Sequence, residues 1–269
     1  MMITPAYEDP TGARTEVPQA FERGSAAASD VLVEESPVGP IVRRPGPVEF
    51  TVIYLHGNRD MSGAPEPGLD FAGRLALRTG AAVLCPRYRP EFPAALDDVH
   101  VAYDHSRAMA PVVVVGERLG AGLAAALLIR LRDLGVAPPR CAVLVSALLD
   151  LTLGAPSLLL NAGADSTFDV AELQRQVTRY AGGTPPTDPL LSPLYANLHG
   201  LPPIQLLAAG NDPLLDDSLA FAARAARAAV PVDLRVRPDG GALRARTVMD
   251  LAVFAETWTS AARSSHARH

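Results

Sequence analysis

The chain has 269 residues, a formal net charge of −5 and an apolar fraction of 48%. This length suffices for one large domain with a full hydrophobic core. The mild acidic balance, with no dense stripe of lysine and arginine, argues against a nucleic-acid surface. We expect neither a secretory signal nor a membrane span, because the first residues lack a basic start and no run of about 18 apolar residues occurs. The predicted location is the cytoplasm.

Short β-rich runs alternate with longer helical patterns along the chain. The predicted strands are VGPIVRRP (38–45), EFTVIYLHG (49–57), AAVLCPRY, PVVVVG, CAVLVS, PIQLLAAG and VDLRVRP. The predicted helices between them are GLDFAGRLALRTG, AALDDVHVAYDHSRAM, LGAGLAAALLIRLRDLG and DDSLAFAARAARAAV. The alternation predicts an α/β fold with a mostly parallel sheet flanked by helices. Ligands of such folds bind beyond the carboxyl ends of the strands.

One segment interrupts this alternation. From about residue 154 to 189 the sequence indicates helices and turns without a strand. An insertion of this length between strands often covers an active site. We therefore predict a single domain over residues 1–269, with cap elements at about 1–28 and 154–189.

The stretch VVVVGERLGAG, residues 112–122, indicates a strand that turns sharply into a helix. It resembles the nucleophile elbow of the hormone-sensitive-lipase family of α/β-hydrolases. The segments IYLHG, PRYRPEFPAALDDVHVAYDH and DPLLSPLYANLHGLPPIQLLAAGNDPLLDDS are similar to other parts of that family. The resemblance covers nearly everything after about residue 30. It implies the α/β-hydrolase fold with a small helical cap.

The departures from the family fall on its catalytic residues, which are a serine, a histidine and an acid. The family pattern GxSxG corresponds to residues 116–120, and Arg118 stands at the serine position. Arginine stays protonated and cannot accept an acyl group. The histidine position falls near Ala242, whereas Asp212 in GNDPLLDDS matches the acid. The resemblance therefore implies a degenerate triad.

The family's oxyanion motif HGGG corresponds here to His56, Gly57, Asn58 and Arg59. Glycines in this loop let backbone N–H groups approach a developing oxyanion. Asn58 and Arg59 bring side chains where the family has none, and we predict that they contact the substrate together with Gly57. His56 has two readings, an architectural residue or a general base.

The predicted catalytic set is Arg118, Asp212 and His56. We hypothesise that Arg118 pairs with Asp212 across the vacant histidine position, because a charge at the elbow needs a partner. Such a pair would either fill the former catalytic site without reacting or present a guanidinium to a substrate. The predicted substrate-binding set is Gly57, Asn58, Arg59, Glu117, Leu119 and Tyr88. Within it, Glu117 is expected to pack under the turn, and the Tyr88 hydroxyl to face the pocket or support a loop.

Other candidate sites are weaker. His100 and Asp104 have helical i,i+4 spacing but imply no third ligand, so we predict no metal and no cofactor. Ser146 follows a strand, but no histidine is placed to activate it. Cys85 and Cys141 lie in apolar runs and are expected to be buried hydrophobes.

A pocket with arginine and asparagine donors and no nucleophile favours a non-hydrolytic enzyme. We predict a cyclase, lyase or isomerase that performs a tailoring step in natural-product biosynthesis. The alternatives are a small-molecule-binding protein, a scaffolding protein and, less favoured, a residual esterase. The predicted partner is a small-molecule substrate or ligand, without nucleic acid or membrane, and a homodimer is left open.

Overall fold

The computed structural model describes residues 30–58, 61–164 and 168–266. Within these ranges the strands are β1 (Leu32–Ser36), β2 (Gly39–Arg43), β3 (Thr51–Leu55), β4 (Ala82–Leu84), β5 (Val112–Glu117), β6 (Cys141–Val145), β7 (Ile204–Ala209) and β8 (Val232–Arg237). The α-helices are α1 (Leu69–Thr79), α2 (Ala94–Arg107), α3 (Leu119–Asp133), α4 (Ser157–Leu160), α5 (Val170–Ala181), α6 (Leu215–Arg227) and α7 (Gly240–His266).

The strands form one sheet in the order β1-β2-β4-β3-β5-β6-β7-β8. The first two strands make an antiparallel hairpin, and β2 also pairs antiparallel with β4. All pairs from β4 to β8 are parallel. One apolar layer packs α2, α3 and α6 on one face of the sheet, and a second packs α1 and α7 on the other. The predicted mostly parallel sheet with helices on both sides is confirmed.

The central strands and α3 form the most deeply buried part of the chain. Every residue of β6 is buried, as are the first five of β5, which suits strands covered on both faces. Helix α3 is apolar around most of its circumference and buries all but a few of its residues. Cys85 and Cys141 are free and buried, as expected. The site described below therefore stands on rigid elements.

Two elements differ from the sequence prediction. Strand β1 was not predicted, because LVEES carries adjacent glutamates and reads as polar, although it pairs fully with β2. Helix α7 was not predicted either. It buries Leu251 against the sheet but leaves Met249 and Val253 exposed, so its apolar residues fall on both sides and blur the helical period.

The segment predicted as a cap contains α4, a 3₁₀ turn and α5, with no strand in its described part. The other predicted cap element, residues 1–28, lies outside the described residues. Among the described helices, none is long and apolar enough to cross a membrane. The compartment stays a prediction.

Asp250 on α7 joins this helix to the edge strand β8. Its carboxylate is 3% exposed and binds Arg235 at 2.9 Å and also Arg237. Both arginines are partly exposed, which weakens each pair relative to a fully buried one. The carboxylate is thus the buried member of a four-residue charge cluster, because Arg235 also pairs with Asp233 at 2.9 Å.

We expect Asp250→Asn to lower the free energy of unfolding by about 2 kcal/mol, because two arginines lose their buried counter-charge. Urea denaturation measures this. Glu256→Gln is the matched control, since Glu256 pairs with Arg78 at the surface between α7 and α1. That variant should change stability by less than about 1 kcal/mol. Equal effects of the two substitutions would contradict a special role for Asp250.

Candidate functional site

The turn from β5 to α3 has the predicted strand–turn–helix form. Arg118 lies at its tip with φ 53° and ψ −116°, a conformation that is costly for a residue with a side chain. Its N–H donates to the carbonyl of Val145 at 3.0 Å, and its own carbonyl accepts from the N–H of Leu148 at 3.1 Å. Backbone hydrogen bonds to the end of β6 and the loop after it therefore hold the tip in place.

The loop after β3 packs directly onto this turn. A Cβ atom on Gly120 would lie 2.0 Å from the carbonyl oxygen of Leu55, and one on Gly57 would lie 2.0 Å from that of Glu117. Only glycine permits such close approach of two backbones. The predicted oxyanion loop and the elbow are thus in contact.

Two cavities flank the elbow, and Arg118 lines both of them. The smaller, of about 110 Å³, lies between the elbow and α5. Its apolar lining consists of Met61, Leu119, Leu148, Phe168, Leu173 and Leu214. The larger, of about 730 Å³, extends from the elbow past the carboxyl ends of β6 and β7 to the start of α7. Arg118 stands at their junction.

The expected ion pair between Arg118 and Asp212 is not formed, although both residues are described and both line the larger cavity. Asp212 instead accepts a hydrogen bond from the N–H of Leu214 at 2.9 Å, just before α6. Arg118 is only half-buried, so the solvent in the cavity can stabilise its charge. The charge at the elbow therefore does not need Asp212 as its partner, contrary to the pairing hypothesis.

The side-chain amide of Asn58 hydrogen-bonds within its own loop. Its Nδ2 donates to the carbonyls of Ser62 at 3.1 Å and Ala64 at 3.0 Å, while the residue lines the smaller cavity. Gly57 lines the larger cavity. Arg59 lies outside the described residues.

His56 and Tyr88 are kept away from both cavities by burial. His56 is 2% exposed, and its ring stacks on that of Tyr88 with centroids 5.3 Å apart. The Tyr88 hydroxyl donates to the carbonyl of His56 at 2.6 Å. The structure therefore favours the architectural reading of His56 and the loop-supporting reading of Tyr88, and neither residue lines either cavity.

Glu117 and Leu119 border the tip of the elbow. Glu117 is half-buried, lines the larger cavity and accepts a hydrogen bond from the Tyr54 hydroxyl at 3.0 Å. Burial and the nearby Glu117 carboxylate raise the pKa of Tyr54 well above its ordinary value, so this hydroxyl stays a donor. Leu119 is buried and contributes to the smaller cavity.

The polar residues of the larger cavity that the prediction missed include Ser146, Asn211 and Asp239, which follow strands or precede α7. Ser146 directly follows β6, and the pairing of Glu117 with Val145 places it beside Arg118. From the sequence, Ser146 is considered only as a possible nucleophile. The rule that ligands bind at the carboxyl ends of parallel strands could have identified all three residues. Ala242, near which the resemblance places the family's histidine, lies in the first turn of α7 and donates its N–H to Asp239 at 2.8 Å.

No group of three histidine, cysteine or acidic side chains in the described part of the chain could hold a metal. His100 and Asp104 lie 3.9 Å apart on α2, where Asp104 also pairs with Arg107.

Asp217 anchors the loop that carries Leu148. Its Oδ2 accepts from the N–H groups of Leu149 at 2.7 Å and Asp150 at 2.9 Å. Burial raises the pKa of Asp217 to about 6, although these two hydrogen bonds act in the opposite direction. The wall of the smaller cavity thus depends on a buried carboxyl group.

Residues 52–241 match the model of a family described as having the alpha/beta hydrolase fold. The chain belongs to this family. It is 36% identical to an acetyl-hydrolase of Streptomyces hygroscopicus over 197 residues. The aligned region covers 70% of the chain and 66% of that protein. It is 31% identical over 194 residues to an esterase of Acinetobacter venetianus, which covers 69% and 64% respectively. The chain thus spans about two thirds of the length of these relatives.

The fold also matches solved esterases. The crystal structure of an esterase from the bacterial hormone-sensitive lipase family superposes with a TM-score of 0.79 at 29% identity, over 86% of this chain and 85% of the other. The predicted resemblance to that family and its fold is confirmed.

These relatives overturn the predicted function. We predicted a non-hydrolytic cyclase, lyase or isomerase, or else an inactive pseudo-hydrolase that binds or scaffolds. That prediction is wrong, because the relatives are named acetyl-hydrolase and esterase and the matching structure is an esterase. It rested on side chains at a few positions, whereas the similarity to hydrolases extends over most of the chain.

We expect Gly120→Ala to lower the free energy of unfolding by about 1–3 kcal/mol, because the added methyl group overlaps the Leu55 carbonyl and must displace β3 from the elbow. Gly154→Ala is the control, since its nearest contact would be an ordinary 3.5 Å from Thr152. Thermal unfolding of both variants measures the difference. Equal melting temperatures would contradict the close packing of the loop on the elbow.

Asp217 predicts a pH dependence of stability. Its carboxyl binds a proton more tightly in the folded state, so between about pH 4 and pH 6 the folded state holds the extra proton and stability falls as the pH rises. Asp217→Asn keeps an acceptor oxygen and removes the titration. The free energy of unfolding of this variant, relative to that of wild type, should rise by roughly 1–3 kcal/mol from pH 4 to pH 7.

Urea denaturation at both pH values tests this effect, with the exposed Asp133→Asn as control. A stability difference between wild type and Asp217→Asn that does not change with pH would contradict the assignment.

Proposed function

We propose that the protein is a hydrolase of short-chain acyl esters in which water attacks the ester directly. The observation that carries the proposal is the position of Arg118 at the elbow, where it borders both cavities. The esterase and acetyl-hydrolase relatives support the reaction class. The chain's own residues at the elbow set the mechanism.

The proposal includes a degenerate triad. Arg118 holds the serine position, Ala242 falls near the histidine position, and Asp212 remains as the acid. Because a guanidinium cannot be acylated, the reaction has no acyl-enzyme intermediate at the elbow. The oxygen of water bonds to the carbonyl carbon and the bond to the alcohol oxygen breaks. Asp212 takes the proton of the water and returns it to the leaving alcohol.

Arg118 acts on the carbonyl oxygen. Its guanidinium and the backbone N–H groups of Gly57 and Leu119 donate hydrogen bonds as negative charge develops on this oxygen. Leu119 is the first residue of α3, where N–H groups have no partner within the helix and the helix dipole favours an anion. His56 contributes only through the backbone of its loop.

The smaller cavity is the proposed acyl site. Its lining is mainly apolar and its volume of about 110 Å³ suits a short chain such as acetyl. Phe168 and Leu173 close it from the side of α5, so we propose that the segment around α5 acts as the cap. The acetyl-hydrolase from Streptomyces hygroscopicus agrees with a short acyl group.

The expected rate is modest. Hydrolases stripped of their triad retain about 10³–10⁴-fold catalysis over water through oxyanion stabilisation and binding. We expect a rate enhancement of this order with p-nitrophenyl acetate, and less with p-nitrophenyl octanoate because the acyl site is small. Buffer alone and heat-denatured protein provide the blank rates.

Arg118→Met should lower kcat/KM for p-nitrophenyl acetate by about 10²-fold, because it removes the charged donor and keeps similar bulk. Arg118→Lys should lose less, since it keeps the charge without the planar fork. Arg140→Met is the control, because Arg140 is exposed and lines neither cavity at the elbow. Its kcat/KM should equal that of wild type.

Two outcomes would overturn the proposal in different ways. Hydrolysis no faster than the blanks would exclude an ester hydrolase. An acetylated protein, detected by mass spectrometry after rapid quenching during turnover, would exclude direct attack by water and would locate the nucleophile. Unmodified protein during measurable turnover is the result we expect.

A further inference from the structure

The larger cavity differs in chemistry from the acyl site. Its lining includes four carboxylates and several uncharged polar groups at the carboxyl edge of the sheet. The carboxylates belong to Asp70, Glu117, Asp212 and Asp239, and Ser146 and Asn211 lie among them. A cavity of about 730 Å³ falls within the range of 300–1,000 Å³ that is usual for small-molecule sites.

The numbers of positive and negative side chains in this lining are nearly equal. The four carboxylates are accompanied by three arginines, Arg74, Arg118 and Arg244, which leaves one net negative charge. Arg74 and Asp70 form an ion pair at 3.2 Å. The cavity therefore offers many hydrogen-bonding groups without strong selection for an anion or a cation, which suits a neutral polar ligand.

Several of these acceptors are held in fixed positions. Glu117 accepts from the Tyr54 hydroxyl at 3.0 Å, Asp212 from the N–H of Leu214 at 2.9 Å, and Asp239 from that of Ala242 at 2.8 Å. An ionised carboxylate has about four acceptor positions, so each can accept further hydrogen bonds. Fixed acceptors around one cavity match a ligand with several hydroxyl groups.

Ser146 adds a hydroxyl that the fold does not use. It is 8% exposed, has φ 44° and lines the larger cavity, and its Oγ makes no hydrogen bond to any described residue. Strained backbone tends to persist at functional sites, and a hydroxyl that borders a cavity can both donate and accept hydrogen bonds with a ligand. Tyr54 and Phe71 line another part of the cavity with rings 4.7 Å apart, which offers an apolar face for the C–H groups of a sugar ring.

We propose that the larger cavity binds the alcohol part of the ester, and that this alcohol is a polyhydroxylated molecule such as a monosaccharide. The inference rests on the proposed function, because it assigns the second half of the same substrate. Ser146 and Asn211 hydrogen-bond to the hydroxyl groups of the alcohol, and Arg118 lies at the ester between the two cavities. The substrate class is therefore acetylated sugars.

The experiment compares two esters with the same acyl group, 6-O-acetylglucose and hexyl acetate. Acetate release should give a kcat/KM about tenfold higher for the sugar ester, and Ser146→Ala or Asn211→Ala should lower that value by about 2–10-fold and lower the value for hexyl acetate less. Ser146→Gly should show the same loss, although it relieves the strained φ. Asn197→Ala, which lies outside the cavity, should behave as wild type.

A preference for hexyl acetate, equal use of both esters, or variants that lower both rates alike would overturn the sugar assignment and leave the hydrolase intact. If neither ester is hydrolysed, the proposed function fails. A binding experiment then tests separately whether the larger cavity accepts a sugar. Saturation-transfer NMR should then show methyl α-D-glucopyranoside bound to wild type and not to Ser146→Ala. Absence of transfer to the glucoside in wild type would overturn the assignment.

Discussion

The site depends on one backbone constraint, the turn at Arg118 between β5 and α3. Its N–H and carbonyl groups are hydrogen-bonded to Val145 and Leu148, so the turn cannot relax into ordinary helix or strand. Gly120 lets the carbonyl of Leu55 touch the first turn of α3. The ends of β3, β5 and β6 therefore meet at one point, and whichever side chain occupies position 118 lies between the two cavities.

An arginine at this point has an electrostatic consequence. The N-terminus of a helix carries a partial positive charge, which disfavours a cation there by about 0.3–1 kcal/mol. Glu117 and Asp212 line the same cavity as Arg118 and offset part of this repulsion through space, without an ion pair to Asp212. The combined field of the guanidinium and the helix N-terminus favours an oxygen on which negative charge develops. This is the physical basis for assigning Arg118 to the ester carbonyl.

The loop beside the elbow and the proposed cap segment are anchored by two neighbouring carboxylates of α6. Asp217 holds the N–H groups of Leu149 and Asp150, and Asp216 accepts from the N–H of Ser157 at 2.8 Å, at the start of α4. Because these acceptors belong to a helix packed on the sheet, the walls of the smaller cavity keep their position relative to Arg118. The proposed acyl site is thus preorganised by the same core that stabilises the fold.

The mostly parallel α/β alternation and the sharp turn at the elbow follow from the sequence alone, because they depend on local apolar runs and motif spacing, whereas β1 and α7 do not. The hydrolytic function does not follow from the residues at the three catalytic positions, because the evidence for it is the similarity to esterases along most of the chain. Tertiary structure alone decided that Arg118 does not pair with Asp212, that His56 and Tyr88 are buried together, and that Asp70 of α1 and Arg244 of α7 share a cavity with the elbow. Each of these depends on strand register and on close contacts between distant segments, which no local pattern encodes.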